Sequence, residues 1–285
     1  MKTMQLETII YEKPIEGVVR LSLNRPGQRN AQNLQMLYEL TAAFDAAAQD
    51  DGVKVIILAG EGPHFSAGHD LKRSGKSELG KDFPVVGTWG GFAQAGVHGH
   101  FVREQEIYLT LTRRWRNIAK PTIAQVHGAC LAGGLMLAWA CDLIVASDDA
   151  YFSDPAVYFG LPGVEYFVHP WEMGARKAKE YLFTSSTWTA EEARQMGMVN
   201  HVVKRDDLEK FVLSMAETIC AKPLFSLALA KEAVNRCIDI SGQQAAIDSV
   251  FGLHHVAHAY NHQQHGRLLD PAGADKAVKS RAPGV

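Results

Sequence analysis

The sequence predicts an α/β fold: a largely parallel sheet built from βαβ crossovers, followed by a mainly helical C-terminal third. Three observations carry this reading. Runs of β-branched and apolar residues recur at VVRLSL (18–23), VKVIILAG (53–60), TIAQVHG (122–128), LIVAS (143–147) and NHVVK (200–204). Most are continuous rather than alternating, as strands buried on both faces are. Helical patterns lie between them, and alternation of strand and helix is what a parallel layer requires.

Taken in order, VVRLSL is followed by LQMLYELTAAFDAAAQ, whose apolar residues recur with helical spacing. The run LMLAWAC places a second helix between the third and fourth strands. From WTAEEARQMG the character changes: Thr189 with Glu192 three residues on makes a capping box. DDLEKFVLSMAETICAKP and LFSLALAKEAVNRCID then continue with helical spacing, and LLDPAGADKAVKSRAPGV reads as a loose tail or arm. The expected division is an α/β core over 1–204 and a helical region over 205–285.

The chain has 285 residues, 47% hydrophobic and 21% charged, enough for one large core. A net charge of −2 gives no electrostatic footprint for nucleic acid or an anionic membrane surface. Cys130, Cys141, Cys220 and Cys237 form no CxxC pair and read as reduced thiols, which suits the cytoplasm. The N-terminus lacks the apolar core of a signal peptide, and no window holds the ~18 uninterrupted apolar residues of a membrane span. A soluble cytoplasmic protein is expected.

Several local signals lead nowhere. GKS at 75–77 resembles the end of a phosphate loop, but the position that must be glycine is Asp70. There is no GxGxxG after a strand and no GxSxG elbow. His254, His258, His262 and His265 share one side of a helical run, yet no carboxylate or cysteine accompanies them. They read as a polar face or subunit contact, and no metal is expected. RRWR at 113–116 reads as a solvated helix face with a half-buried Trp115. The glycine-rich stretch 72–103 is only weakly periodic and reads as a lid over a site or a mobile excursion.

Two stretches carry chemistry together. After the second strand, EGPHFSAGHDL places small residues at a strand-to-helix turn behind Phe65. GACLAGGLMLAWACD repeats the device, with Gly133 and Gly134 opening a helix. Amides at such turns are left unpaired, and two turns face to face can hold an oxyanion. In the order NRPGQRNAQN, GPHFSAGHDL, KPTIAQVHGACLAGGLMLAWACDLIVAS, YFSDP and TAEEARQMGMVNHVV, the sequence resembles the crotonase, or enoyl-CoA hydratase/isomerase, family. The resemblance spans nearly the whole chain outside 72–103 and the tail.

That resemblance implies a spiral core of repeated ββα units, a C-terminal helical trimerisation region and a homotrimer or hexamer. It implies an acyl-CoA thioester as substrate, with coenzyme A part of that substrate and no permanently bound cofactor. The oxyanion donors become the amides of His69 and Gly133. The CoA contacts become Ala67, Asp70 and Leu71 near the adenine and Gln28 and Arg29 near the pantetheine entrance, while Gly134 gives room. The His69 imidazole either transfers protons or supplies bulk.

The pattern also breaks. Hydratases of the family carry two glutamates, and the matching positions are Met136 and Ala156, neither of which holds a proton. Each such group contributes about 10²–10⁴ in rate, so ordinary hydration is not expected. Replacement carboxylates are Glu165 and Asp154, with His98, His100 and Glu104 deliverable by the excursion. One base suffices to move a double bond, which favours isomerase-type chemistry. The alternatives are a non-catalytic acyl-CoA-binding or assembly protein and a carbon-carbon bond hydrolase of the same superfamily.

Overall fold

The computed structural model describes residues 6–71 and 79–273. In chain order it contains β1 (Ile9–Glu12), β2 (Val18–Leu23), α1 (Leu34–Gln49), β3 (Val55–Gly60), α2 (Gly96–Glu104), α3 (Leu111–Arg116), β4 (Thr122–Val126) and β5 (Ala129–Leu131). There follow α4 (Gly133–Trp139), β6 (Leu143–Ser147), β7 (Tyr151–Ser153), α5 (His169–Thr184), β8 (Trp188–Thr189), α6 (Ala190–Gln195) and β9 (His201–Val203). The chain then runs through α7 (Leu208–Cys220), α8 (Leu224–Ile240) and α9 (Gln243–His265).

The main sheet has the order β1-β2-β3-β4-β6-β9, parallel except for β1 against β2. A smaller sheet, β5-β7-β8, stands beside it. The apolar runs are continuous because both faces of the main sheet are covered. Val19, Leu21, Ile56, Leu58 and Ala124 meet α1 and α4 in the principal core. Val18, Val55, Ile57, Ile123 and Val145 meet Leu208, Val212 and Ala216 of α7. The first helix beyond residue 204 therefore closes the second face of the sheet.

Local signals specify the helix starts. Asn33 accepts from the Met36 amide at 2.9 Å to cap α1, and Thr189 and Glu192 make both bonds of the capping box on α6. The reading of 72–103 needs correction at its end. Residues 72–78 lie outside the described residues, but α2 begins at Gly96 and continues through a π-helical turn, Gln105–Thr110, into α3. Gly99 hides this helix in the sequence and makes it possible in space: a Cβ there would lie 1.8 Å from the Gln94 carbonyl oxygen. Buried Glu106 ties down the loop ahead of α2 by accepting from the amides of Val86 and Gly87 at 2.7 and 3.0 Å. Trp115 is buried rather than half-buried, and Arg113, Arg114 and Arg116 pair with Asp248, Asp45 and Asp239. Among the described residues no single helix is long and apolar enough to cross a membrane.

One buried side chain joins the turn after β2 to the turn after β3. Asn30, at φ 53°, accepts from the Arg25 amide and donates to the carbonyls of Glu61 and His64, all at 2.9 Å. Asn30→Ala leaves those buried groups unpaired at a left-handed position. Urea unfolding is expected to show a loss of about 1–3 kcal/mol.

Candidate active site

The site is built from two turns that touch. Beyond β3, the Ser66 amide donates to Ala129 O at 3.0 Å and the Leu131 amide to Ser66 O at 2.9 Å. On the other side, Gln32 N donates to Gly68 O at 2.8 Å and Asp70 N to Gln32 O at 2.9 Å. This parallel bridge uses the groups flanking His69 and turns its own N–H away from Gln32. A Cβ on Gly68, at φ 89°, would lie 2.7 Å from Leu131 O and 3.0 Å from Gly133 N, so the two backbones are in contact. Among the described residues neither the His69 nor the Gly133 amide donates to a protein acceptor.

The second turn is strained where it matters. Ala132 has φ 47° and ψ −119° and is held there by its amide donating to Ser153 O at 2.9 Å. A non-glycine residue in that region costs on the order of 1–3 kcal/mol, and here the distortion aims the start of α4 at the first turn.

Between the turns lies an imidazole–carboxylate pair. His69 Nε2 is 3.1 Å from Glu165 Oε2, and His254 Nε2 is 3.6 Å from Glu165 Oε1. The His69 ring lies against Tyr108, with centroids 3.9 Å apart. It also covers Gly133, where a Cβ would fall 2.4 Å from Cε1 and 2.6 Å from Nδ1. Nδ1 of His69 is buried without a hydrogen-bond partner. Burial pushes the Glu165 carboxyl up, but His69, its hydrogen bond and then His254 outweigh it and hold the pKa below the ordinary carboxylate value. Glu165 therefore stays ionised, with the surrounding rings supplying its solvation.

A cleft opens onto this pair. Ala67, His69, Leu71 and Ala132 line it from the two turns, Pro155, Ala156, Gly163 and Glu165 from the segment after β7, and His254 and Leu269 from the C-terminal side. Residues 14–86 and 90–269 match the protein family described as "Enoyl-CoA hydratase/isomerase". The chain belongs to this family. It is 45% identical over 261 residues to the "Putative enoyl-CoA hydratase EchA13" of Mycobacterium tuberculosis, which covers 90% of this chain and 82% of that protein. A "4-chlorobenzoyl coenzyme A dehalogenase-2" of Arthrobacter is 31% identical, over 77% of this chain and 75% of the relative. The crystal structure of a probable enoyl-CoA hydratase from Mycobacterium smegmatis superposes with a TM-score of 0.83 at 45% identity, covering 92% of this chain and 99% of that one. The fold is accordingly that of the crotonases.

Within that family frame, the site residues expected from sequence divide clearly. His69, Gly133, Glu165, Ala67 and Leu71 come together. Gln28 and Arg29 are exposed on the turn after β2, where the Arg29 carbonyl accepts from the Ala67 amide at 2.9 Å. Asp70 does not present a free carboxylate to a ligand, because it pairs with Arg25 at 2.9 Å. Gly134 gives no room to a ligand: a Cβ there would lie 2.7 Å from Ser66 O, so its role is close packing of the turns. Asp154 does not line the cleft, and its carboxylate accepts from the amides of Ala156 and Val164 at 3.1 and 2.9 Å and from His169 at 2.9 Å. Met136 is buried in the principal core and is not among the residues lining the cleft, whereas Ala156 is.

Two neighbours of the site were not legible as such. Tyr108 sits on the π-helical turn, for which the sequence carries no signal. His254 stands out in the sequence only as one of a run, and its approach to Glu165 joins residues far apart in the chain.

The lowered pKa of Glu165 has a definite consequence for stability. As pH falls below the ordinary value of 4.5, the unfolded chain takes up this proton before the folded one does, so stabilisation present above that pH is lost. Urea midpoints measured from about pH 6 down to about pH 3 are expected to fall less steeply for Glu165→Gln than for the wild type.

Proposed function

We propose that the protein turns over an acyl-CoA thioester through an enolate-like oxyanion held by the His69 and Gly133 amides, with the proton moved by His69. The observation that carries this is the 3.1 Å contact between His69 Nε2 and Glu165 Oε2 beside two unpaired amides. An ionised carboxylate only accepts, so Nε2 donates to Glu165, and when the ring is neutral Nδ1 keeps a lone pair above Gly133. Glu165 is then the positioning residue and His69 the base, the division of labour of carboxylate and imidazole in acyl-transfer sites.

The step balances with one base. His69 Nδ1 takes a proton from a carbon activated by the thioester, the electron pair moves onto the carbonyl oxygen between the two amides, and the same proton returns to a different carbon. Fixed donors strengthen as that charge develops. Ala156 in the cleft and Met136 in the core leave no second acid at the hydratase positions, which supports double-bond migration over hydration. The same neutral imidazole acting on water gives a second reading, cleavage of a carbon–carbon bond next to the thioester.

Purified protein should be titrated with enoyl-CoA and acyl-CoA thioesters and the products resolved by chromatography. Migration without hydration is expected, with kcat falling about 10²–10⁴-fold in His69→Asn and Glu165→Gln at little change in KM. Binding of no thioester would exclude the proposal, and product formation only from 1,3-diketone-like substrates would replace it with the second reading.

We also propose a homotrimer or hexamer, formed through α8 and α9. On α8 no residue is buried, and Phe225, Leu229, Val234 and Ile240 are exposed there, with Leu253, Val256 and Tyr260 on α9. Light scattering at micromolar concentration is expected to give three or six times the chain mass. A monomer would contradict it.

A further inference from the structure

Three histidines of α9 are buried: His254, His255 and His258 are 2%, 5% and 5% exposed. The end of α2 brings Glu104 to them, supplying the carboxylate that their stretch of sequence lacks. Glu104 Oε2 lies 3.3 Å from His255 Nε2 and 3.4 Å from His258 Nε2. The ligand atoms of Glu104, His254 and His258 all lie within 4.8 Å of one another. None of these four atoms, Glu104 Oε2 and the three Nε2, has a hydrogen-bond partner although all are buried.

The protonation pattern follows from the far side of two rings. His254 Nδ1 donates to Gly163 O at 3.0 Å and His258 Nδ1 to Leu268 O at 2.9 Å, since a carbonyl only accepts. Their Nε2 atoms are therefore lone pairs when the rings are neutral, aimed at each other and at a carboxylate. Converging buried acceptors are costly without a cation among them. A carbonyl on the second ring nitrogen is also the arrangement that orients metal-bound histidines. A tetrahedral ion with bonds of about 2.0–2.1 Å has ligand–ligand edges of about 3.3–3.4 Å; Glu104 Oε2 stands at that spacing from His255 and His258, while His254 lies farther out, within 4.8 Å of Glu104 and His258.

The geometry points to a divalent transition-metal site, with Glu104, His254 and His258 as ligands and His255 next to them for the fourth position. Mixed imidazole and carboxylate donors suit Zn²⁺ and its neighbours, whereas Mg²⁺ and Ca²⁺ favour all-oxygen sets. A cavity of about 120 Å³ bordered by His100, His255, His258 and exposed His262 gives a path of entry. The ion ties the end of α2 to α9 and sets its charge beside Glu165, through His254. This assignment is independent of the reaction proposed above, and none of its readouts is turnover.

The full chain, stripped with a chelator, should be titrated with Zn²⁺ by calorimetry and with Co²⁺ by visible absorption. One ion per chain is expected, with an intense tetrahedral Co²⁺ spectrum that Zn²⁺ displaces. Glu104→Gln and His258→Ala should each weaken binding by more than about 100-fold, while His262→Ala leaves it unchanged. Circular dichroism checks that the variants fold, and if they do not, the wild-type Co²⁺ spectrum decides alone. No saturable binding, an octahedral spectrum, or binding that survives both ligand substitutions would overturn the assignment.

Discussion

Everything at the site depends on one close approach, the seating of the Ser66–Asp70 turn between two neighbouring segments. Its backbone bonds Gln32 on one side and Ala129 and Leu131 on the other. Such contact is possible only where side chains are absent: a Cβ on Gly68 would strike Leu131 O, and one on Gly134 would strike Ser66 O. Asn30 fixes the same turn from below, and Ser66 Oγ donates back to Asn30 O at 2.8 Å. Backbone amides, which cannot rotate away as side chains can, are thereby set in place before any substrate arrives. In the reaction proposed above, fixed dipoles of this kind stabilise a developing oxyanion most effectively.

A second constraint is the placing of a buried carboxylate among histidines. Glu165 lies between His69 and His254, and a short step along α9 His255 and His258 face Glu104. The effect on the rings differs with their surroundings. Burial drives the pKa of His255 down to about 4 despite Glu104, whereas for His258 the carboxylate outweighs burial and the pKa is raised. The two carboxylates thus share one polar seam through an otherwise apolar region, bounded by Phe101 and Phe251 against His255. The seam joins the end of α2, helix α9 and the cleft beside His69.

Asp154 stands beside the cleft without lining it. It lies next to Pro155 and Ala156 of the cleft, but two amides and the His169 ring take up its oxygens, and it is 2% exposed. Its work is to hold the segment from Ala156 to Val164, and so to deliver Glu165. The adjacent Gly163, at φ 156°, packs against Phe167 and the same carboxylate.

The sequence by itself determined the parallel sheet, most helix starts, the two glycine-bearing turns and the family, because these are set by local periodicity, capping chemistry and motifs of a few residues. It also singled out His69, Gly133 and Glu165, which the fold brings close to one another. Only the tertiary structure decided which carboxylate meets His69, that Asp70 belongs to Arg25, that Met136 faces the core, and that Glu104 completes the histidine run. Each of these joins residues between 45 and 154 positions apart or turns on which way a side chain faces. Spacing along a chain records neighbours within one helix or turn, whereas charges and rings from different elements meet only once the core has packed.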